Sequence, residues 1–149
     1  MARLPDEVVA AIGRITIAAG DLELILAWIG ADQAGGNAFE VLARPGEPVR
    51  AARGSVEFAT PAYRQAYLPV VEIAAKLLAK RHAVVSAMWV SEAPDESVQR
   101  WELLDDKTHV RQLVDPRALD ELSRQLLEAR NRLVAIVTAQ LNNDPVPAS

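Results

Sequence analysis

The residues with the most chemical capacity lie in one short run, Leu77-Leu78-Ala79-Lys80-Arg81-His82-Ala83-Val84-Val85-Ser86-Ala87-Met88-Trp89. Arg81 interrupts a helical apolar stripe made of Val71, Ala74, Leu78, Val85 and Met88. A cation in such a place is costly to bury unless a carboxylate meets it or it reaches solvent. Asp21 and Glu23 are the acids that a neighbouring helix can bring to it; the other reading is a polar pocket inside the bundle. His82 and Ser86, four residues apart, share a helix face and have the residue types of a base and a nucleophile. That chemistry also needs an orienting acid and oxyanion donors, which the sequence does not supply.

Other chemistry-bearing groups are sparse. His109 is the second of two histidines, and Asp105, Asp106 and His109 cluster near a turn where a hard cation could be held. A solvated turn explains them as well, because a dedicated site needs more ligands fixed in place. Cysteine is absent, so thiolate metal sites, disulfides and a cysteine nucleophile are excluded. Neither a metal nor a cofactor is expected. Gly35-Gly36-Asn37 has no following Lys-Ser/Thr pair and therefore does not read as a nucleotide loop. Arg44, Arg50, Arg53 and Arg64 form a possible phosphate-contacting patch, or simply a solvated surface shared with Glu40, Glu47 and Glu57. Trp101 and Arg111 suit a stacked cation–π pair across two strands.

The elements that must position these groups are mostly helical. Alanine is abundant and aromatic residues make up 5%, which favours closely packed helices over a sheet sandwich. A first helix is expected from Pro5 to Asp32, with Val8, Ile12, Ile15, Ala19, Leu22, Leu26 and Ile29 facing the core. Its other side is also apolar (Ile17, Leu24, Ile25, Trp28), which predicts burial on more than one side. Short helices are expected at Ala38 to Ala43, capped by Asn37, and at Pro48 to Phe58. Thr60-Pro61 opens a helix reaching Val90. Val98 to Leu104 and Thr108 to Val114 read as the arms of a β-hairpin around Asp105-Asp106-Lys107. Asp115-Pro116 starts the last helix, whose stripe is Leu119, Leu122, Leu126, Ala129, Leu133 and Ile136. The fold class is therefore mainly α: an up-and-down helical bundle with one β-hairpin inserted before the C-terminal helix. One domain covers residues 1–141, and 142–149 form a flexible tail.

Gly13, Gly20 and Ala27 recur every seven residues and outline a small-residue groove on the first helix. Such a groove admits another helix closely, either from the same chain or from a second subunit. With the apolar girth of this helix it points to a homodimer.

The run around Arg81 resembles the signature helix of HEPN-type helical domains, in which an arginine and a polar residue precede a histidine at a short fixed interval. Arg81 matches the motif arginine, His82 its polar follower, and Ser86 stands where the histidine commonly sits. The organisation is also similar, with Gly20, Asp21 and Glu23 on an early long helix and an amphipathic helix closing the domain. The resemblance implies two branches. Active members are metal-independent endoribonucleases, usually dimers whose motif helices meet in one cleft, often in toxin–antitoxin or anti-phage systems. Inactive members keep the bundle as binding or scaffold modules. Serine at position 86 favours the second branch, since a hydroxyl does not exchange protons near neutral pH as imidazole does.

Charge points the same way. The net charge of −4 opposes whole-surface attraction to a polyanion, leaving RNA as a partner only for a ribonuclease using Arg81 and His82. No apolar run suits a membrane span or a signal peptide, so no membrane partner and a cytoplasmic location are expected. The functional expectation is a non-catalytic binding or self-association module, with Arg81, His82 and Ser86 as its binding residues and a protein as a possible further partner.

Overall fold

The computed structural model describes residues 3–34, 36–92, 97–103 and 109–148, with side chains left out at 32–34, 88, 90–103 and 109–112. It is a helical bundle. Among the described residues the helices are α1 (Asp6–Ala34), α2 (Ala38–Leu42), α3 (Glu47–Val56), α4 (Pro61–Ser86) and α5 (Pro116–Asn142). α1 is the central element and packs against all four others.

Local chemistry explains most of the boundaries. The Asn37 side chain accepts from the Glu40 amide at 3.0 Å, and Asp115 from the Arg117 amide at 2.9 Å, so both act as N-caps. α3 starts at Gly46, whose φ of 74° favours glycine. Thr60 supplies no side-chain cap to α4. Asn143 closes α5 in the left-handed region, donating its amide back to the last turn. The fourth helix passes through Pro69 but stops at Ser86, short of the expected Val90. Ala87 is extended, and the Trp89 indole donates to the Val84 carbonyl at 2.9 Å, occupying an acceptor of the final turn.

Beyond that point the backbone forms β1 (Met88–Glu92), β2 (Ser97–Leu103) and β3 (His109–Leu113), paired antiparallel in that order. The sequence suggests two extended arms; β1 is a third, drawn from Met88 to Val90 at the end of the expected helix and from Ser91 and Glu92, which read as loop. Met88, Trp89 and Val90 suit a strand once the helix has ended. The turn expected at Asp105-Asp106-Lys107 lies outside the described residues. So do the side chains of Trp101, Arg111 and His109, and with them the cation–π and ion-binding expectations.

The core is where α1, α3, α4 and α5 meet. Val8, Ile15, Leu22 and Leu26 of α1 pack with Val56, Tyr67, Val70, Val71 and the whole expected stripe of α5. In α4 the buried line runs through Tyr67, Val70, Val71, Ala74, Leu77 and Val84, so it is rotated slightly from the expected one. Charged residues tie helices together at the rim. Asp120 receives Arg14 of α1 at 2.8 Å, while Arg124 bridges Glu121 and Glu128 within α5.

Among the described glycines, Gly30 has the tightest surroundings. A Cβ there would stand 2.5 Å from Ala51 Cβ and 2.7 Å from the Ala51 backbone carbon. Glycine is what lets α1 and α3 touch.

The expected mobile tail is held at its beginning. The Tyr63 hydroxyl donates to the Asp144 carbonyl, and Val146 and Pro147 are half-buried. Nearby, the buried Tyr67 hydroxyl donates to Gln140 Oε1 at 2.7 Å, joining α4 to α5. Burial, with a smaller contribution from Tyr63, pushes the Tyr67 phenol up from 10.0 to about 12. The folded chain therefore keeps this proton over a range in which the unfolded chain loses it. The stability Tyr67 supports is complete below pH 10 and is lost as pH rises toward about 12. Chemical denaturation between pH 9 and 11.5 is expected to show this loss, and Tyr67→Phe to flatten it; an equal slope in both proteins counts against the assignment.

Candidate functional site

Arg81 is carried by α4 at a core-facing position, one turn before the helix ends. Its Nη2 donates to Glu23 Oε1 of α1, an ion pair in which the two side chains are 29% and 23% exposed. Of the two acids expected as partners, Glu23 is the one engaged; Asp21 lies on the exposed side of α1. Among the described residues, the Arg81 Nε is buried without an acceptor. The pair is thus joined through one edge only, and both partners retain unused hydrogen-bonding capacity.

The pair forms the polar end of a cavity of about 530 Å³ between α1, the α2–α3 connection and α4. Its walls are apolar: Leu42, Pro45, Pro48 and Val49 on one side, Ala75 and Leu78 of α4 on the other. His82 also lines it and is exposed. Ser86 does not. Its hydroxyl is exposed and turns back to donate to the His82 carbonyl of the preceding turn. That back-bond is a local helix contact, and it directs the hydroxyl away from any reacting partner. Of the three residues expected to act together, the structure joins Arg81 and His82 in one cavity and leaves Ser86 outside.

The arginine patch does not assemble as a free phosphate surface. Arg53 makes a two-pronged contact with Glu72 of α4, with Nε at 2.7 Å and Nη2 at 2.9 Å. Those hydrogen bonds hold the Glu72 carboxyl below its usual range. Arg50 lies 3.9 Å from Glu47. Arg44 and Arg64 are exposed, on the α2–α3 connection and in the first turn of α4. The acids in the intervening helices take up half of the charge the patch was expected to present.

The small-residue groove is likewise split. Gly13 and Gly20 are exposed, and a Cβ at either would meet nothing within 4 Å. Ala27, its third member, is fully buried against Ala38 and Val41 of α2. The apolar side of α1 around the two glycines is open rather than buried as expected: Val9 is 52% exposed, Ile17 68%, Leu24 40% and Trp28 56%. Among the described residues the other four helices pack on α1 and leave this side of it uncovered. Among the described residues no helix is long and apolar enough to cross a membrane.

No family model matches this chain, and neither the curated proteins nor the solved structures contain a match to it.

Proposed function

We propose that this chain is a non-catalytic helical-bundle module of HEPN-like type that self-associates through the open face of α1. The observation that carries this reading is the line Val9, Gly13, Ile17, Gly20, Leu24 and Trp28, exposed and apolar along one side of a helix. It spans about 30 Å at 1.5 Å per residue. Apolar surface of that continuity is a protein-contact feature rather than scattered exposure.

The line is self-complementary, which favours a second copy as its occupant. An antiparallel α1 pair with its two-fold axis between positions 16 and 17 sets Gly13 opposite Gly20 of the partner. The same axis sets Val9 opposite Leu24 and brings the two Ile17 side chains together at the centre. An isologous interface requires such matching. One helix-on-helix seam covers less than the standard interface of about 1,600 Å², so the association is weak, in the micromolar range.

The absence of catalysis in this proposal rests on the disposition of the motif residues. Arg81 is engaged by Glu23, and Ser86 bonds its own helix. Among the described residues His82 is then the single imidazole beside Arg81, and it stands in the motif's polar-follower position. Metal-free RNA cleavage needs both a base for the 2′-hydroxyl and a placed charge for the phosphorane.

The test is mass against concentration. Light scattering from about 5 to 200 micromolar is expected to show a rise from monomer toward dimer across the micromolar range. Ile17→Glu, which puts like charges at the two-fold axis, is expected to hold the protein monomeric without lowering its melting temperature. A wild-type monomer throughout that range, or a dimer unaffected by Ile17→Glu, refutes the α1 seam.

A further inference from the structure

We infer that the cavity at Glu23 and Arg81 is a binding site for a small neutral molecule carrying a carboxamide or lactam group on an apolar body. This goes beyond the module reading and is independent of the α1 seam, whose mass measurement stands or fails separately.

The inference starts from what the cavity offers. About 530 Å³ is ample for a small organic molecule, and the walls named above are aliphatic. At one end stand a donor and an acceptor side by side. The Arg81 guanidinium carries five N–H groups and accepts nothing; the Glu23 carboxylate accepts and donates nothing. They are joined through Nη2 and Oε1, and since the Arg81 Nε is buried, a ligand would meet the remaining N–H groups of the guanidinium's outer end. The complement to a neighbouring donor and acceptor is an acceptor and a donor at the same spacing. A carbonyl with an N–H beside it meets that requirement: the oxygen faces the guanidinium from the open side, and the N–H faces the carboxylate.

Charge selects the neutral group over its ionic relatives. Arg81 and Glu23 cancel each other, and His82, the third polar side chain of the lining, is exposed to solvent, so the end at the ion pair has no net charge to offer an ion. A carboxylate ligand would gain Arg81 but face Glu23, and an amidinium would gain Glu23 but face Arg81. In a partly desolvated place, either repulsion offsets much of the attraction. A neutral amide keeps the ion pair intact and adds hydrogen bonds on both sides. The apolar walls then cover the remainder of the molecule.

Three probes of one shape decide the matter: benzamide, benzoate and benzamidine, titrated calorimetrically or by amide chemical shifts. Benzamide is expected to bind saturably and at least about tenfold more tightly than either ion, a difference of about 1.4 kcal/mol. Ala79 lines the cavity from an exposed position of α4, so Ala79→Leu occupies the space while leaving the core and the ion pair in place. That variant is expected to melt like the wild type and to lose benzamide binding. Four results overturn the proposal: no saturable benzamide binding up to about 10 millimolar, tighter binding of benzoate or benzamidine, equal binding of all three probes, or benzamide binding that persists in Ala79→Leu. The probe series on the wild-type protein decides the chemistry even where the variant is unstable.

Discussion

Gly30→Ala is expected to lower the melting temperature by about 4–8 °C, while Gly13→Ala and Gly20→Ala in the same helix raise it by about 2–4 °C each. Three glycines in α1 thus separate by environment alone. At Gly30 the new methyl would stand 2.5 Å from Ala51 Cβ and under 3 Å from two backbone atoms of α3. Backbone cannot rotate out of the way as the end of a long side chain can, so α1 and α3 must part. Overpacking of this kind costs about 1–3 kcal/mol or more, and the contact with backbone places it at the upper end. Alanine's better helix propensity returns about 1 kcal/mol, too little to reverse the sign. At Gly13 and Gly20 the methyl meets nothing, so the propensity gain of about 1 kcal/mol remains. Thermal unfolding of the three variants at low protein concentration tests the ranking. A Gly30→Ala protein as stable as Gly13→Ala would mean that α1 and α3 do not touch there.

The second large effect is expected at the ion pair. Arg81→Ala and Glu23→Ala should each destabilise by about 2 kcal/mol, because each strands a half-buried charged partner. Full burial would raise that cost; exposures of 29% and 23% keep it moderate. The double variant is expected to lose less than the two single losses combined, by about 1 kcal/mol, since no charge is then left alone. Additive losses would show that the two residues do not meet. The same proteins answer the catalytic question. The wild type is expected to leave a mixed RNA substrate intact in the presence of chelator. Metal-free cleavage abolished by both Arg81→Ala and His82→Ala, at unchanged melting temperatures, would instead establish a ribonuclease.

The one-dimensional pattern carried furthest where a local rule governs the outcome. The stripe of α5 from Leu119 to Ile136 is buried as its spacing requires, and Asn37 and Asp115 cap the helices they precede. Arg81 also stood out in the sequence, because a cation on an apolar stripe breaks a periodic rule wherever the partner lies. The rule could not say whether Asp21 or Glu23 would answer it. Those residues are two positions apart on a helix and point about 200° apart, so the choice depends on how α1 is rotated against α4. The same rotation exposes Ile17 and Trp28, which composition alone had marked for burial.

The sequence by itself determined that this protein is mainly helical, where its last helix runs, and that Arg81 is a cation out of place on an apolar stripe. These follow from hydrogen bonds and side-chain periodicity within a few residues of each other. Tertiary structure alone decided which glycine bears the α1–α3 contact, that Arg53 belongs to Glu72, and that Ser86 stands apart from the Arg81 cavity. Each of these joins or separates residues on different helices, or on different sides of one helix. Their distances are set by how helices rotate and slide against one another, a property that no single helix encodes.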